Sequence, residues 1–187
     1  MEHKLTTPCT AADLAALRAG DTVLLSGVMY TARDAAHKRM IEALSAGQPL
    51  PFELDGSAIY YVGPTPERPG QVIGSAGPTT SGRMDAYSPA LLDLGNKVMI
   101  GKGQRSNAVK DAVVRNGAVY LAALGGAGAL MAQSVKSLEV IAWPDLGCEA
   151  VRRLEVENMP LTVILDAHGG DLYQSGPAAY LAAREKA

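Results

Sequence analysis

Metal-binding side chains are scarce in this chain of 187 residues, which has two cysteines, Cys9 and Cys148, and three histidines. Two cysteines so far apart make no metal cage by themselves, and His3 and His168 lack ligand spacing, so no self-contained metal centre is expected. A disulfide is open on arithmetic alone, with nothing pointing to an oxidising compartment. Aromatic residues make up 5% of the chain, with one Trp and one Phe, so a stacking platform for nucleic-acid bases is not in evidence. Basic residues number 17 against 19 acidic ones, for a net charge of −2. That balance gives no bulk attraction to nucleic acid but leaves room for a local basic pocket. The opening "MEHKLTTPCT" has no apolar segment, so no secretory signal is expected and a cytoplasmic location is. Residues 116–135 carry no charge, but Gly125, Gly126 and Gly128 break the run. It reads as a buried strand, a glycine loop and a helix start rather than a membrane span.

What is present is ordinary globular material, 48% hydrophobic and 19% charged, in a length that suits one domain over 1–187. Thr10 and Asp13 have capping-box character, with Gly20 closing the short helix that follows. Residues 21–27 read as a strand, and Thr31 as the cap of a helix to Gly47 with Ala36, Met40 and Leu44 on its inward face. Strands are expected at 58–63, 97–103, 118–123, 137–142, 161–165 and 171–174. Helices are expected at 84–94, 107–115, up to Ser134, and from Pro177, a good first helical residue. The alternation argues for an α/β fold with a mixed, largely parallel sheet.

Four clusters share a design in which a strand end or loop carries Gly or Thr with a cation nearby: "YTARDAAHKR" (30–39), "GPTTSGR" (77–83), "GKGQRS" (101–106) and "GGAGAL" (125–130). In α/β folds ligands sit beyond strand ends, where helix N-termini present free N–H groups. Arg33 at a helix start opposes the helix dipole and so answers to an anion. Arg83 and Lys102 follow the same pattern, which suggests a site for a small polyanion with arginines placed for bidentate carboxylate contacts. Plainer readings stand beside this one. "GKGQRS" alone reads as a turn with solvated charges and is not a phosphate-binding loop. "GGAG" lacks dinucleotide spacing and suits close backbone approach. His37 shares a helix face with Met40, Ile41 and Leu44 and reads as a core or supporting histidine. Asp85 reads as a cap or partner for Arg83 rather than a base.

Taken together, "LSGVMYTARDAAHKRM", "YYVGPTPERPGQVIGSAGPTTSGRMDAY" and "IGKGQRS", in this order, resemble the β subunit of two-subunit class I fumarase and L-tartrate dehydratase. The same region forms the C-terminal domain of single-chain class I fumarases, and the resemblance covers residues 5–175. It implies a swivelling β/β/α domain that closes over a [4Fe–4S] cluster held by cysteines of a partner α subunit, in an α2β2 assembly. An open cluster iron can act as Lewis acid on a substrate hydroxyl. The chemistry implied is reversible hydration of fumarate to L-malate, or dehydration of a related 2-hydroxy dicarboxylate such as tartrate. By the same resemblance Arg33, Arg83 and Lys102 hold substrate carboxylates, and Thr79 abstracts the proton. Ser106 completes the Lys-Gly-x-x-Ser pattern and orients Lys102 or Thr79. A threonine is a poor base unless cations depress its pKa, so that role rests on the resemblance.

Two other readings compete: a non-catalytic anion-binding or regulatory module that has kept the fold, and a self-sufficient metal-free lyase. The presence of Thr79 and all three cations disfavours the first. The absence of an evident His or carboxylate base disfavours the second. The motifs leave the substrate open among fumarate, tartrate and a methylated fumarate.

Overall fold

Strand-forming runs of Val, Ile, Leu and Tyr alternate with short helices along the chain, and the computed structural model, which describes residues 1–185, joins all the strands in one sheet. The strands are β1 (Glu2–Thr7), β2 (Thr22–Thr31), β3 (Ala58–Tyr60), β4 (Val98–Gly101), β5 (Val119–Ala122), β6 (Val135–Ala142) and β7 (Val151–Leu165). The helices are α1 (Ala11–Leu14), α2 (Asp34–Ser45), α3 (Ser88–Asp93), α4 (Asn107–Arg115), α5 (Gly128–Gln133) and α6 (Leu172–Arg184). Two 3-10 segments, Ser81–Met84 and Pro144–Glu149, lie between them.

The sheet order is β1-β2-β3-β4-β5-β7-β6, with a further β2–β7 pairing. β1 to β5 run parallel to one another, as the alternation with helices requires. β7 runs antiparallel to β2, β5 and β6, so the sheet is mixed, and parallel pairing is confined to its first five strands. Thr162 pairs with Thr22 on one side and Ala122 on the other. The hydrogen-bonded circuit β2–β3–β4–β5–β7 therefore closes on itself.

Period-2 alternation divides the core between the two faces of this circuit. Leu25, Met29, Ala58, Tyr60, Val98, Ile100, Val119, Leu121 and Met159 bury one face. Ile59, Tyr61, Met99, Ala118 and Tyr120 point the other way, against Ala36 and Met40 of α2, Leu91 and Leu92 of α3, and Val109 and Val113 of α4. With β1 to β5 parallel, their C-terminal ends share one edge, which is where the glycine- and cation-bearing loops emerge.

Several expected boundaries moved. His3 belongs to β1, not to a tail, and its Nε2 meets Asp21 at 3.0 Å. Thr31 ends β2 instead of capping α2; its hydroxyl donates to the Ala150 carbonyl at 3.2 Å. Residues 84–94 form the end of a 3-10 turn and a separate α3, followed by Gly95 at φ 113°. The tail strand expected at 171–174 is a single bridge at Asp171, because Asp171 caps α6 through the Tyr173 N–H at 3.0 Å. Pro177 thus lies inside α6 and not at its start. Both cysteines are free thiols, Cys9 buried and Cys148 exposed.

Candidate active site

The loop after β3 returns to the strand edge it left. Tyr60 donates its hydroxyl to the Ala76 carbonyl at 2.5 Å, Pro78 bridges to Val62, and the Thr79 N–H donates to Tyr61 at 2.7 Å. Thr80 then bridges in parallel to Lys102, beyond the end of β4. Ser81 locks the two segments: its N–H donates to the Lys102 carbonyl at 2.8 Å and its Oγ accepts from the Lys102 N–H at 3.0 Å. Gly101 must lack a side chain, since a Cβ there would stand 2.0 Å from Ser81 Oγ. Thr79, Thr80 and Lys102 are brought together in this way.

Lys102 is half-buried, with its stem 3.7 Å from the Cβ position of Gly125. Among the described residues its ammonium has no hydrogen-bond or ion-pair partner, while its main chain is fully engaged. The next residue is fixed from two sides, with the Gly103 N–H donating to Tyr173 Oη at 3.2 Å and Tyr120 Oη donating to the Gly103 carbonyl at 2.9 Å. The glycine loop earns its composition by close approach, because a Cβ at Gly128 would sit 2.3 Å from Ser75 Oγ and 2.9 Å from the Gly77 nitrogen.

Arg33 and Arg83 come from different loops and meet across one carboxylate. Arg83 Nε donates to Asp34 Oδ1 at 2.7 Å, and Arg33 Nε lies 3.9 Å from Asp34 Oδ2. Arg33 is the N-cap residue of α2, with no side-chain cap of its own. Its Nη2 lies 3.5 Å from Glu149 Oε1. The anions that answer its charge here are therefore protein carboxylates. Since Asp34 engages Arg83 through Nε, the paired Nη edge of that guanidinium keeps its fork for another carboxylate.

Two expected pairings are replaced. Asp85 does not orient Arg83; it accepts from Arg105 Nε at 2.6 Å and from the Ser106 N–H at 2.5 Å. Ser106 Oγ accepts from the Val109 N–H at 3.4 Å and caps α4, so it orients neither Lys102 nor Thr79 through a contact of its own. It is Ser81 that holds the Lys102 backbone. Arg105 is no solvated loop charge: its side chain is 0% exposed, it donates to Ser88 Oγ at 2.8 Å, and it lies over the rings of Tyr120 and Tyr61 at 5.0 and 5.4 Å. It pins the Lys102 loop to the Thr79–Arg83 loop from beneath.

His37 is fully buried under the same turn, edge-on to Tyr61 at 5.2 Å. A carbonyl only accepts, so its 2.9 Å contact with the Arg33 carbonyl puts the proton on Nδ1. Burial pushes its pKa down to about 4, assisted by the charge of Arg105 and opposed by the Arg33 hydrogen bond. It is a neutral supporting residue at neutral pH.

The sequence matches the family model described as "Fumarase C-terminus" over residues 1–176. The chain belongs to the fumarase C-terminus family. It is 42% identical over 152 residues to the anaerobic class I fumarate hydratase of Escherichia coli K12, a match covering 80% of this chain and 28% of that protein. Fumarate hydratase 2 of Leishmania major is 41% identical over 156 residues, covering 82% of this chain and 28% of that enzyme. A protein of Methanocaldococcus jannaschii named putative L(+)-tartrate dehydratase subunit beta is 42% identical over 171 residues, 88% of each chain. The chain thus spans just over a quarter of the fumarate hydratases it matches, and nearly nine-tenths of that β subunit.

An iron–sulfur cluster does not fit the side chains of this family member. A [4Fe–4S] cluster takes up to four thiolates, and the chain has two cysteines. Cys9 is buried, with its thiol pushed up to about 11 by desolvation and then by Asp13. Among the described residues no group of three His, Cys, Asp or Glu side chains could hold a metal.

Proposed function

We propose that this chain is the β subunit of an iron–sulfur hydro-lyase that interconverts fumarate and L-malate or dehydrates a related 2-hydroxy dicarboxylate such as tartrate. The observation that carries this reading is one strand edge bearing Thr79, Arg33, Arg83 and Lys102. Such a site can bind and polarise a dicarboxylate. We assign the [4Fe–4S] cluster, and the departure of the hydroxyl group with it, to an α subunit. An α2β2 assembly in the cytoplasm, with this chain swivelling to close over the partner, completes the reading. The relative of comparable size named as a subunit beta supports it.

Within this chain the work divides as follows. Arg83, through its unpaired Nη edge, and Arg33 hold the substrate carboxylates. Removal of a proton from the carbon beside a carboxylate builds negative charge on that carboxylate. Fixed cations stabilise that charge more as it grows, which lowers the barrier and not merely the ground state. Of the three site cations, Lys102 is the one whose charge has no hydrogen-bond or ion-pair partner among the described residues, so it is the one free to respond. Thr79 takes the proton; positive charge brought close to its hydroxyl would stabilise the alkoxide form. Ser106, exposed at the start of α4, adds a hydroxyl at the rim.

Thr79→Ala, Thr80→Ala and Arg83→Met in the assembled complex test the division of roles. Thr79→Ala should abolish deuterium exchange from solvent into malate while substrate binding holds. Arg83→Met should raise KM and lower kcat together. Thr80→Ala should be mild. Wild-type exchange in Thr79→Ala with a dead Thr80→Ala would move the base one residue along. Near-normal activity in both would make the threonines scaffold.

A further inference from the structure

Helix α2 begins at Arg33, whose extended backbone and long side chain provide no cap. The cap comes from 114 residues away: Glu149 Oε2 accepts from the Ala35 N–H at 2.9 Å. The other oxygen of the same carboxylate stands 3.5 Å from Arg33 Nη2, and both side chains are only about one-fifth exposed. Glu149 ends the 3-10 segment Pro144–Glu149, which grips α2 again one turn on. There Arg39 donates to both oxygens of Asp145, at 3.0 and 2.9 Å, and lies 5.5 Å from the centre of the Trp143 ring. The guanidinium of Arg33 also rests on bare backbone, where a Cβ at Gly63 would be 2.6 Å from Nη1. Arg33 Nε is buried without a hydrogen-bond partner. The guanidinium is thus held by walls and by charge. A positive side chain at a helix start is repelled by the helix dipole, and a carboxylate at the same place cancels that repulsion.

We propose that Glu149 is a positioning residue for substrate binding: it fixes the first turn of α2 and the Arg33 guanidinium as one unit, so that Arg33 meets a substrate carboxylate already ordered. This rests on the reading that Arg33 holds such a carboxylate. Pre-ordering a long side chain removes its ordering entropy from the binding step, so its loss appears in KM.

Complexes with the cluster-bearing subunit carrying Glu149→Gln, Arg33→Met or both, assayed with whichever of L-malate and L-tartrate the wild-type complex turns over, test the proposal. Glutamine keeps an oxygen for the Ala35 N–H, so α2 stays capped, but it drops the charge facing Arg33. Glu149→Gln should raise KM about fivefold with kcat and Tm near wild type, the scale of one lost partly exposed ion pair. Arg33→Met should raise KM further, and the double variant should equal Arg33→Met alone, since the two act as a unit. A wild-type KM in Glu149→Gln beside a raised one in Arg33→Met overturns the proposal and leaves the role of Arg33 standing. So does a lowered KM, which would make Glu149 a competitor for Arg33, or full additivity in the double variant. A wild-type KM in Arg33→Met removes the underlying reading, and the proposal with it.

Discussion

Gly63→Ala should disable the site while sparing the fold. Gly63 does not use the left-handed conformation, so alanine is compatible with its backbone. An added Cβ would stand 2.6 Å from Arg33 Nη1, 3.1 Å from Arg33 Cδ and 3.3 Å from the Cys148 carbonyl oxygen. Nonbonded contacts of this kind relax at about 3.5 Å, so the guanidinium must retreat by roughly 1 Å. Arg33 is the flexible partner and gives way before the backbone does. Displacing a binding group by about 1 Å costs up to about 100-fold in turnover efficiency. The expected result is a fall of about 10- to 100-fold in kcat/KM, mostly through KM. Alanine gains about 0.4–1 kcal/mol by restricting the unfolded chain, and crowding at Cys148 offsets part of that. The Tm should therefore move by less than about 4 °C. Steady-state kinetics of the complex and a thermal melt of the chain decide it. A well-folded Gly63→Ala variant with wild-type kcat/KM would refute the placement of Arg33 in the site.

His37 should make the chain acid-sensitive. Its folded pKa, about 4, lies below the ordinary value of 6.5, so the unfolded state binds more protons between those values. The contribution is full above pH 6.5 and is lost as pH falls toward 4, by roughly 2 kcal/mol at pH 5. The dependence of Tm on pH between 5 and 7 should flatten in His37→Phe; an unchanged slope would show that His37 does not titrate this way. Arg105→Met should cost about 3–5 kcal/mol by stranding Asp85 and Ser88, read as a large drop in the urea midpoint. A shift below about 1 kcal/mol would mean that the buried guanidinium is dispensable.

Much of the fold was legible because its signals are local. The apolar runs of β2 to β5 and the i, i+4 face of α2 declare themselves in the sequence, and α4 fell where expected over 107–115. β7 was seen only at 161–165. Its first ten residues, "VRRLEVENMP", carry four charges and Asn158 at φ 49°, and they become a strand because β2 and β6 pair with them from both sides. β1 is similar, a polar edge strand defined by its partner. In the site, the cations and threonines stood out by their glycine-rich settings. Their supports did not: Glu149, Arg105 and Asp34 act through contacts 20 to 114 residues away, which no short motif encodes. The pairing of Asp85 with Arg105 and not Arg83 is decided by burial, since Arg83 remains half-exposed and Arg105 does not.

The most direct test is reconstitution under anaerobic conditions, with this chain and a cluster-bearing α subunit purified separately and assayed against L-malate, methylmalate and both tartrates. Neither protein alone should turn over any of them, and the mixture should turn over at least one, with activity rising to saturation as this chain is added. Turnover by rigorously metal-free, partner-free chain, or none by a cluster-loaded mixture, would contradict the assignment of half an active site to this chain.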